Sequence, residues 1–304
     1  MRITLRQLQI FSAVAEHGST TAAAESLALS QSATSSALNE LEDLLAAQLF
    51  DRVGKALLLN DSGRMLLEHA RQALDIVEDI ENAFSGKRDG QRQFRIGAST
   101  TIGAYLLPEL LAAYNALHGD RIARVSIANT ADVAAAVANF DVEIGFIEGP
   151  CHVPGLRVEP WIRDELVIVA APGNEEALRS RAAPATPEQL AEARWLLREP
   201  GSGTREAAES ALIPYLHYLE EGGQFSSSEA IKHACAAGLG LACLSRAVVA
   251  DLIALGKLVE VATTLPPLSR DMYLITSRKK TLSPALESLL GFCRSWSREM
   301  RSTA

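Results

Sequence analysis

Apolar residues near the start of the chain recur with the periodicity of an α-helix. Leu5, Leu8, Phe11 and Val14 are each three residues apart, which predicts a first helix with one apolar face. Positions 19–42 then contain two more helical patterns that are joined by a turn. We therefore predict three short helices in succession, with the first packed under the other two.

The second and third predicted helices combine an apolar face with a polar one. Their apolar positions are Ala22, Ala23 and Leu27, and then Ala33, Ala37, Leu38 and Leu41. Ser30 is a good N-cap for the third helix. The opposite face of that helix carries short polar side chains that can reach base edges in a major groove. This arrangement predicts a helix-turn-helix whose second helix reads DNA.

Positions 50–59 read as two short strands around a Gly54-Lys55 tip. Arg52 and Lys55 would hold the DNA backbone or minor groove beside the helix-turn-helix, although an ordinary hairpin with two solvated cations has the same pattern. The complete set of predicted DNA contacts is Thr20, Thr21, Ser30, Gln31, Ser32, Thr34, Ser35, Ser36, Asn39, Arg52 and Lys55.

A long helix is predicted from Gly63 onward. Its apolar residues alternate in steps of four and three, the spacing of a coiled-coil seam. They are Leu66, Ala70, Ala73, Val77, Ile80 and Phe84. The pattern favours pairing with a second copy of the chain, while an amphipathic helix packed on its own domain is the competing interpretation. Positions 85–91 then form a polar hinge without apolar periodicity.

The rest of the chain alternates between strand and helix patterns, which predicts an α/β fold with a largely parallel sheet. The predicted strands are 94–98, 125–128, 142–147, 166–170, 195–197, 239–244 and 272–276. The predicted helices are 105–113, 131–139, 231–237 and 286–296. The strands at 166–170 and 272–276 are expected to cross between two lobes.

These patterns predict three parts. A winged helix-turn-helix DNA-binding domain spans residues 1–62, and a dimerising linker helix with its hinge spans 63–90. A two-lobed effector-binding domain spans 91–304. Its first lobe comprises about 91–165 and 272–304, and its second lobe about 166–271.

Three loops follow predicted strands, where ligands gather in open α/β sheets. They begin near Ser99, Glu148 and Glu199, and two of them lead into helix starts that favour an anion. Ordinary helix caps would have the same composition. The predicted effector-binding residues are Ser99, Thr100, Thr101, Asn129, Glu148, Glu199, Gly201, Ser202, Gly203 and Thr204.

The two acids among these residues, Glu148 and Glu199, would repel a bare dianion. Three resolutions are open. Arg205 could neutralise one acid, or a carboxyl or the ligand could be protonated. Alternatively, the acids could select an ammonium group, which would make the ligand an amino acid.

The charge balance changes how DNA binding is expected to work. The chain has a net charge of −8, which argues against a general polyanion binder. Residues 1–62 contain four basic and seven acidic side chains, a net charge of −3. Few phosphate contacts per subunit mean weak non-specific binding. Useful affinity would come from base contacts, helix N-termini and several subunits that grip one DNA.

Composition and motifs exclude several other classes of protein. No apolar run reaches the roughly 18 residues of a membrane helix, and the first residues lack a secretory apolar core, so we expect a cytoplasmic protein. The glycine loop lacks the third glycine of a dinucleotide site, because Glu206 stands there. The six histidines form no metal or nucleophile pattern. We therefore expect neither an enzyme nor a cofactor or metal.

Two alternatives share parts of this pattern. Cys235 and Cys243 are eight residues apart, which brings a redox-sensing disulfide to mind. Free cysteines are usually small buried hydrophobes, and neither site is electropositive and accessible in the sequence. A solute-binding protein would explain the second part of the chain alone, but it would not explain the helix-turn-helix.

The helix-turn-helix region resembles the LysR-type transcriptional regulators. The matching residues are Ser19, Thr21, Ala22, Ala23, Leu27, Ser30, Gln31, Ala33, Ser35, Leu41, Glu42, the run from Leu49 to Arg52, Gly63 and Arg64. Ser36, Asn39 and Glu40 depart from the family, in which many relatives have Arg or Lys there. The resemblance implies a linker helix that pairs between subunits and a two-lobed effector domain like the periplasmic binding proteins.

Four further segments resemble the YeiE/CysL-like branch of that family. They are G-A-S-T-T-I-G, F-I-E-G-P-C-H, R-E-P-G-S-G-T-R-E and S-E-A-I-K-H. That branch is linked to sulfite and reductive sulfur metabolism, so the implied effector is sulfite or a similar small oxyanion. The other implied partners are double-stranded operator DNA, further copies of the chain in a dimer or tetramer, and RNA polymerase, with no membrane partner.

Overall fold

The computed structural model describes residues 2–54, 56–84, 94–119, 123–174 and 184–303. The chain divides into two compact units, Met1–Arg92 and Gln93–Ala304. Within the described ranges, no helix is both long enough and apolar enough to cross a bilayer.

The N-terminal unit is a three-helix helix-turn-helix followed by a hairpin and a long helix. Its elements are α1 (Leu5–His17), α2 (Thr20–Ser26), α3 (Gln31–Leu45), β1 (Phe50–Val53), β2 (Ala56–Leu59) and α4 (Asp61–Phe84). Side-chain oxygens of Thr4, Ser19 and Ser30 accept hydrogen bonds from backbone N–H groups at the starts of α1, α2 and α3. Capping therefore fixes where each helix begins.

The predicted apolar faces meet in one core, with one error of register. Phe11, Val14 and Leu38 are buried as predicted, whereas Leu5 is exposed. At the start of α3 the prediction errs by one position, because Ala33 is exposed and Thr34 is buried, whereas Leu38 and Leu41 are buried as predicted. The small side chains of this helix made its apolar face ambiguous in the sequence.

Two close contacts join the hairpin to the helices. The buried Glu42 carboxylate accepts a hydrogen bond from the Leu49 N–H at 2.7 Å, which links α3 to the start of β1. Gly63 lies against the same segment, since an added Cβ would be 2.1 Å from the Leu49 carbonyl oxygen. Only glycine fits at this turn of α4.

The near and far halves of the long helix α4 differ in burial. Leu67 and Ala70 are buried in the core of their own unit, and Leu66 packs against that core. The predicted intersubunit seam is therefore wrong at Ala70, which is fully buried within the unit, whereas Leu66 is only partly buried. Farther along the helix, Ile76 and Ile80 are 55% and 54% exposed.

The C-terminal unit contains a mixed seven-stranded sheet, a separate pair of strands and flanking helices. Its strands are β3 (Phe94–Ser99), β4 (Ala123–Ala128), β5 (Ile144–Glu148), β6 (Leu156–Ala170), β7 (Arg194–Arg198), β8 (Glu220–Phe225), β9 (Ala242–Ser245), β10 (Val259–Glu260) and β11 (Leu268–Ser277). Its helices are α5 (Leu107–His118), α6 (Thr130–Ala138), α7 (Pro187–Ala191), α8 (Gly203–Leu216), α9 (Ser228–Ala236), α10 (Arg246–Ala254) and α11 (Pro284–Thr303).

The sheet continues from one lobe into the other through its two longest strands. Its order is β10-β6-β11-β5-β3-β4, with β9 also paired to β6. Strands β3, β4 and β5 are parallel, and β11 runs antiparallel to both β5 and β6. A separate parallel pair, β7 and β8, belongs to the second lobe.

The cores define the two lobes, and β6 contributes to both. Trp161 packs with Phe146 and the helices of the first lobe, whereas Ile168 packs with Trp195 of the second. The predicted crossing strand, 166–170, covered only the last third of β6. The first two thirds were not predicted, because Pro160 and charged residues interrupt the apolar pattern there.

Other elements also differ from the predictions. A π-helical turn, Ile102–Leu106, precedes α5 where one continuous helix was expected. Strand β8 and helix α10 were not predicted. The sequence of β8 is E-E-G-G-Q-F, which lacks the alternation of a strand and obtains its regularity from pairing with β7.

Candidate functional site

The exposed polar face of α3 is the predicted DNA-reading face. Gln31, Ser32, Ser36 and Asn39 are exposed on it, and Ser35 is half-buried. The Gln31 amide donates to the Thr20 hydroxyl at 3.3 Å, so the starts of α2 and α3 meet here. These uncharged donors and acceptors can address base edges when the helix enters a major groove.

Thr34 is not part of this face. Its side chain is fully buried and its hydroxyl makes no hydrogen bond in the described structure. The prediction that Thr34 contacts DNA is wrong, because its position on the inward side of α3 places it in the core. Thr21 and Ser30 are exposed, and the Ser30 hydroxyl caps α3 through the Ala33 N–H at 3.2 Å.

The hairpin contributes one described basic side chain. Arg52 is exposed on β1, beside the predicted reading helix in sequence but outside its polar face. Lys55, the other predicted cation, lies outside the described residues, and so does the predicted hinge at 85–91.

The second candidate site joins the two lobes of the C-terminal unit. We call it the inter-lobe cluster, and its members are Thr100, Thr101, Glu148, Asp164, Arg198, Glu199, Thr204, Ser228 and Arg270. They come from the ends of β3, β5 and β7, the starts of α8 and α9, and the crossing strands β6 and β11. Most of these side chains are buried, which is unusual for charged groups.

Glu148 is the centre of one half of the cluster. Its carboxylate accepts hydrogen bonds from the Thr101 N–H at 2.9 Å and from the Thr204 hydroxyl of the second lobe. Arg270 forms a buried ion pair with it. Burial acts to raise the pKa of Glu148, but the Arg270 charge and these hydrogen bonds outweigh it, and the pKa lies below its ordinary value.

Arg270 connects this carboxylate to a second acid and to both lobes. It donates to Asp164 at 2.8 Å, to the Thr204 hydroxyl at 3.0 Å and to the Thr101 hydroxyl at 3.3 Å. Asp164 also accepts from the Ser245 hydroxyl at 2.7 Å. Burial raises the pKa of Asp164 above its ordinary value in spite of the neighbouring Arg270.

Arg198 is the centre of the other half. Its guanidinium pairs with both carboxylate oxygens of Glu199 at 2.8 and 2.9 Å. It also donates to the Thr100 hydroxyl of the first lobe at 2.6 Å and to the Ser228 hydroxyl at 3.0 Å. Burial acts to raise the pKa of Glu199, but the hydrogen bonds and charge of Arg198 outweigh it and lower the pKa.

The glycine loop lies directly against the first lobe. An added Cβ at Gly203 would be 1.8 Å from the Glu148 carbonyl oxygen, so no larger residue fits there. The Gly201 carbonyl accepts a hydrogen bond from the Ala131 N–H at 3.1 Å, and Gly201 has a positive φ of 86°. The loop is thereby fixed against α6, at the helix start that Asn129 caps through the Asp132 N–H.

Ser99 provides an unused polar group next to this contact. Its hydroxyl is buried near the Glu148 carboxylate, but it makes no hydrogen bond of ordinary geometry. Ser202 is also buried and begins α8 without a side-chain cap bond. A ligand oxygen would offer both hydroxyls a partner.

A second inter-lobe contact lies beside the cluster. Tyr105 of the π-helical turn donates its hydroxyl proton to Glu229 of α9. The same hydroxyl accepts a hydrogen bond from the buried Lys232 at 3.0 Å. Lys232 also pairs with Glu229 and with Asp251, each at 3.0 Å. Pi-helical turns often mark functional positions, and this one leads directly from the Thr100-Thr101 loop.

The structure thus brings most of the predicted effector residues together, but it corrects one assignment. Arg205 does not neutralise Glu148 or Glu199, since it pairs with Glu209 and Glu221 instead. The neutralising residues, Arg198 and Arg270, were not singled out in the sequence. Arg198 was visible only as the first residue of R-E-P, and Arg270 lies in no glycine or hydroxyl-rich loop.

The thiols have little of the chemistry that redox sensing needs. Cys235 and Cys243 are free and buried, and burial raises the pKa of each thiol to about 12. Cysteine reacts as the thiolate, so both would be nearly inert at neutral pH. Across the described ranges, no three His, Cys, Asp or Glu side chains are grouped as a metal site.

Comparison with known families and proteins identifies the two domains that contain these candidate sites. Residues 5–64 match the family described as bacterial regulatory helix-turn-helix protein, lysR family, and residues 87–298 match the LysR substrate binding domain. The chain is 48% identical over 293 residues to the regulator YeiE of Escherichia coli, which covers 96% of this chain and 98% of that protein.

Two solved structures share the fold over nearly the whole length. Full-length OxyR of Pseudomonas aeruginosa superposes with a TM-score of 0.76 at 22% identity and covers 97% of this chain and 95% of its own. CbnR in complex with its target DNA gives a TM-score of 0.67 at 19% identity and covers 96% and 99%. With its helix-turn-helix and two-lobed domain, the chain belongs to the LysR family of DNA-binding transcriptional regulators, which have a domain for small-molecule effectors and are not enzymes.

Proposed function

We propose that this regulator senses a small oxyanion, most simply sulfite, in the inter-lobe cluster and thereby controls genes of sulfur or redox metabolism. The observation that carries the proposal is Arg198, a buried guanidinium that donates to hydroxyls on both lobes. Arginine with surrounding hydroxyls is a frequent solution for small oxyanions. The 48% identity to YeiE supports the same branch.

The proposal also assigns a role to each part of the chain. DNA is bound by residues 1–62, α4 within 63–90 joins two copies, and 91–304 binds the effector. The assembly is a homodimer or homotetramer that works with RNA polymerase at an operator. CbnR in complex with its target DNA supports the DNA-binding part by its shared fold.

The amino-acid alternative requires a carboxylate that is available to a ligand ammonium group. Glu148 already accepts bonds from Arg270, Thr204 and Thr101, and Glu199 is paired through both oxygens with Arg198. The negative charge of both acids is therefore already balanced within the protein, which disfavours a ligand ammonium group. The buried thiols oppose the redox alternative in the same way, because their chemistry is suppressed by burial.

Ligand binding can be coupled to DNA through the lobes. Thr100 lies in the first lobe and Ser202 in the second, so a small ligand contacts both only when the lobes are together. A ligand shifts a conformational equilibrium only by its different affinity for the two states. An inter-lobe ligand has that difference, and it would change how paired linker helices present two helix-turn-helix units to DNA.

Titration calorimetry of the full-length protein with sulfite tests this proposal. We expect Thr100→Val and Ser202→Ala each to lower sulfite affinity by ~1 kcal/mol or more, through a lost hydrogen bond to a charged group. Affinity for DNA without sulfite should stay the same. Thr281→Val, at an exposed position before α11, is the matched control and should bind as the wild type does. Unchanged binding by both cluster variants would refute the inter-lobe site.

A further inference from the structure

We propose that Glu199 determines the charge of the ligand, so that the site accepts a singly charged, protonated oxyanion and rejects a dianion. The inference rests on the proposed function and makes it more specific. It predicts that hydrogensulfite is the bound species and that sulfate, which has no proton at neutral pH, is excluded.

The first step is the pairing of Arg198. Its side chain is only 2% exposed, so water screens its charge weakly. Glu199 pairs with it through two nearly equal hydrogen bonds, the strong fork geometry of an arginine–carboxylate pair. Arg198 can therefore donate hydrogen bonds to a ligand, but its positive charge is already balanced.

The second step is the charge balance of the whole cluster. The other buried cation, Arg270, faces two acids, Glu148 and Asp164. Glu148 alone balances the charge of Arg270, so these three groups together supply no net positive charge. A dianion would bring two uncompensated charges into a mostly buried site, which is costly.

Arg205 and Lys232, two described cations of the neighbouring elements, do not supply the missing charge, because each is already paired with acids. On α8, Arg205 is paired with Glu209 and with Glu221 of β8. Also on α8, Glu206 is paired with His152, which lies in the loop after β5. On α9, Lys232 is paired with Glu229 and with Asp251 of α10. At the start of α6, the polar side chain that faces Glu199 is the uncharged Asn129.

A proton on the ligand can itself interact with the Glu199 carboxylate. Glu199 retains acceptor capacity on its carboxylate oxygens, since each has used one position on Arg198. A protonated oxyanion lowers its charge to one and can donate its proton to such an acceptor. A dianion has no proton to donate and meets the Glu199 charge directly. Glu199 would thus separate two ligands of similar size by charge.

Calorimetry with the full-length protein tests the inference through the proton. At pH 8, where dissolved sulfite is mainly the dianion, binding is measured in two buffers that differ in ionisation enthalpy. We expect uptake of about one proton for each sulfite bound, because the ligand must be protonated to enter. Sulfate should not bind detectably. This measurement needs no variant.

The Glu199→Gln substitution provides the second measurement. It keeps an amide oxygen that can accept from Arg198, while Thr100 and Ser228 continue to hold the guanidinium. Release of one opposing charge should raise sulfate affinity by about tenfold or more and reduce proton uptake with sulfite. Glu206→Gln is the control. It removes the same charge from the first turn of α8, where the side chain pairs with His152 and not with Arg198, and it should behave as the wild type.

The outcomes separate the inference from the proposed function. Sulfite binding by the wild type without proton uptake, together with no sulfate gain in Glu199→Gln, would overturn the role of Glu199 and leave the oxyanion site in place. Absence of sulfite binding at both pH 6 and pH 8 would remove the proposed effector, and this inference with it.

Discussion

The predicted DNA-reading face of α3 and the inter-lobe cluster are both polar, but their polar groups differ in exposure and pairing. On α3 the side chains are short and uncharged, and those of Gln31 and Asn39 are exposed to solvent. In the cluster, Arg198 and Arg270 are 2% and 6% exposed, and each is paired with carboxylates. A charge that leaves water must be paired, whereas an exposed amide can remain available to a partner.

This difference predicts where a substitution will be felt. On the DNA-reading face, loss of a side chain should change binding to DNA and leave folding unaltered. In the cluster, loss of one charge should leave another charge buried without its partner and change the stability of the fold itself. The predictions below test that division.

The largest effect is expected for Arg270→Met. The substitution keeps an apolar stem but leaves Glu148 and Asp164 without their common counter-ion. We expect the free energy of unfolding of the C-terminal unit to fall by roughly 3–5 kcal/mol, measured by urea denaturation of the full-length protein.

The control for this prediction is an arginine whose partners are exposed. Arg246 pairs with Glu165 and Glu260 on the surface of the same unit. Arg246→Met should cost about 1 kcal/mol or less. Equal losses in the two variants would mean that burial does not distinguish the cluster from a surface ion pair.

The second prediction concerns an apolar surface, the far half of α4. Val77 is half-buried there, and Ile80 is exposed. If a second copy covers this face, Val77→Glu places a carboxylate in an apolar seam, which is unfavourable. We expect the dimer to dissociate at least about 100-fold more readily, a loss of ~2.7 kcal/mol. Specific DNA binding should disappear with it, since each subunit alone contacts few phosphates.

Light scattering at several concentrations measures the assembly. His69→Glu is the matched control, because it adds an acid to an exposed position of the same helix. A Val77→Glu protein that stays dimeric would contradict a seam on this face.

The two sites differ in how well the sequence predicted them, because one depends on local helical spacing and the other on residues that are far apart in the chain. The polar face of α3 follows helical spacing within 15 residues, and the prediction erred by one position at Ala33 and Thr34. The cluster depends on distant pairs. Thr100 and Arg198 are 98 residues apart, and Glu148 and Arg270 are 122 apart. Loops rich in Ser, Thr and Gly marked one side of each pair, but nothing local in the sequence marked Arg270 as their partner.

The strands that the sequence predicted differ from those that it missed in the same way. Apolar runs predicted β3 and the last third of β6, because burial on both faces leaves a continuous hydrophobic signal. Strand β8 has mostly exposed, polar residues and exists through its pairing with β7. A strand of that kind cannot be predicted from periodicity, because its stabilising partner lies elsewhere in the chain.

The third prediction contrasts two residues of α3. Gln31 is exposed at its start, and Gln31→Ala should weaken binding to the preferred operator by ~1–3 kcal/mol if it makes one good base contact. Binding to unrelated DNA should barely change. Thr34→Val replaces a buried, unpaired hydroxyl with a methyl group and should leave operator affinity unaltered. An equal loss on both DNAs would show that Gln31 contacts only the backbone.

The smallest effect is expected at Tyr105, where an uncharged hydroxyl joins the two lobes. Tyr105→Phe removes the bonds to Glu229 and Lys232 but leaves the ion pairs of Lys232 within the second lobe. We expect a cost of about 0.5–1.5 kcal/mol for the state in which the lobes touch. If sulfite binds between the lobes as proposed, its affinity should fall in proportion, because only the state in which the lobes touch would bind it.

Hydrogen exchange without ligand reports the same contact independently of sulfite. Amides at the start of α9 should exchange faster in Tyr105→Phe, since Glu229 loses its partner on the first lobe. Tyr215→Phe removes a hydroxyl from an exposed tyrosine of α8 and should match the wild type in both measurements. If Tyr105→Phe also matches the wild type, the Tyr105 hydroxyl does not stabilise the contact between the lobes. The buried charges of the cluster would then keep the lobes together without it.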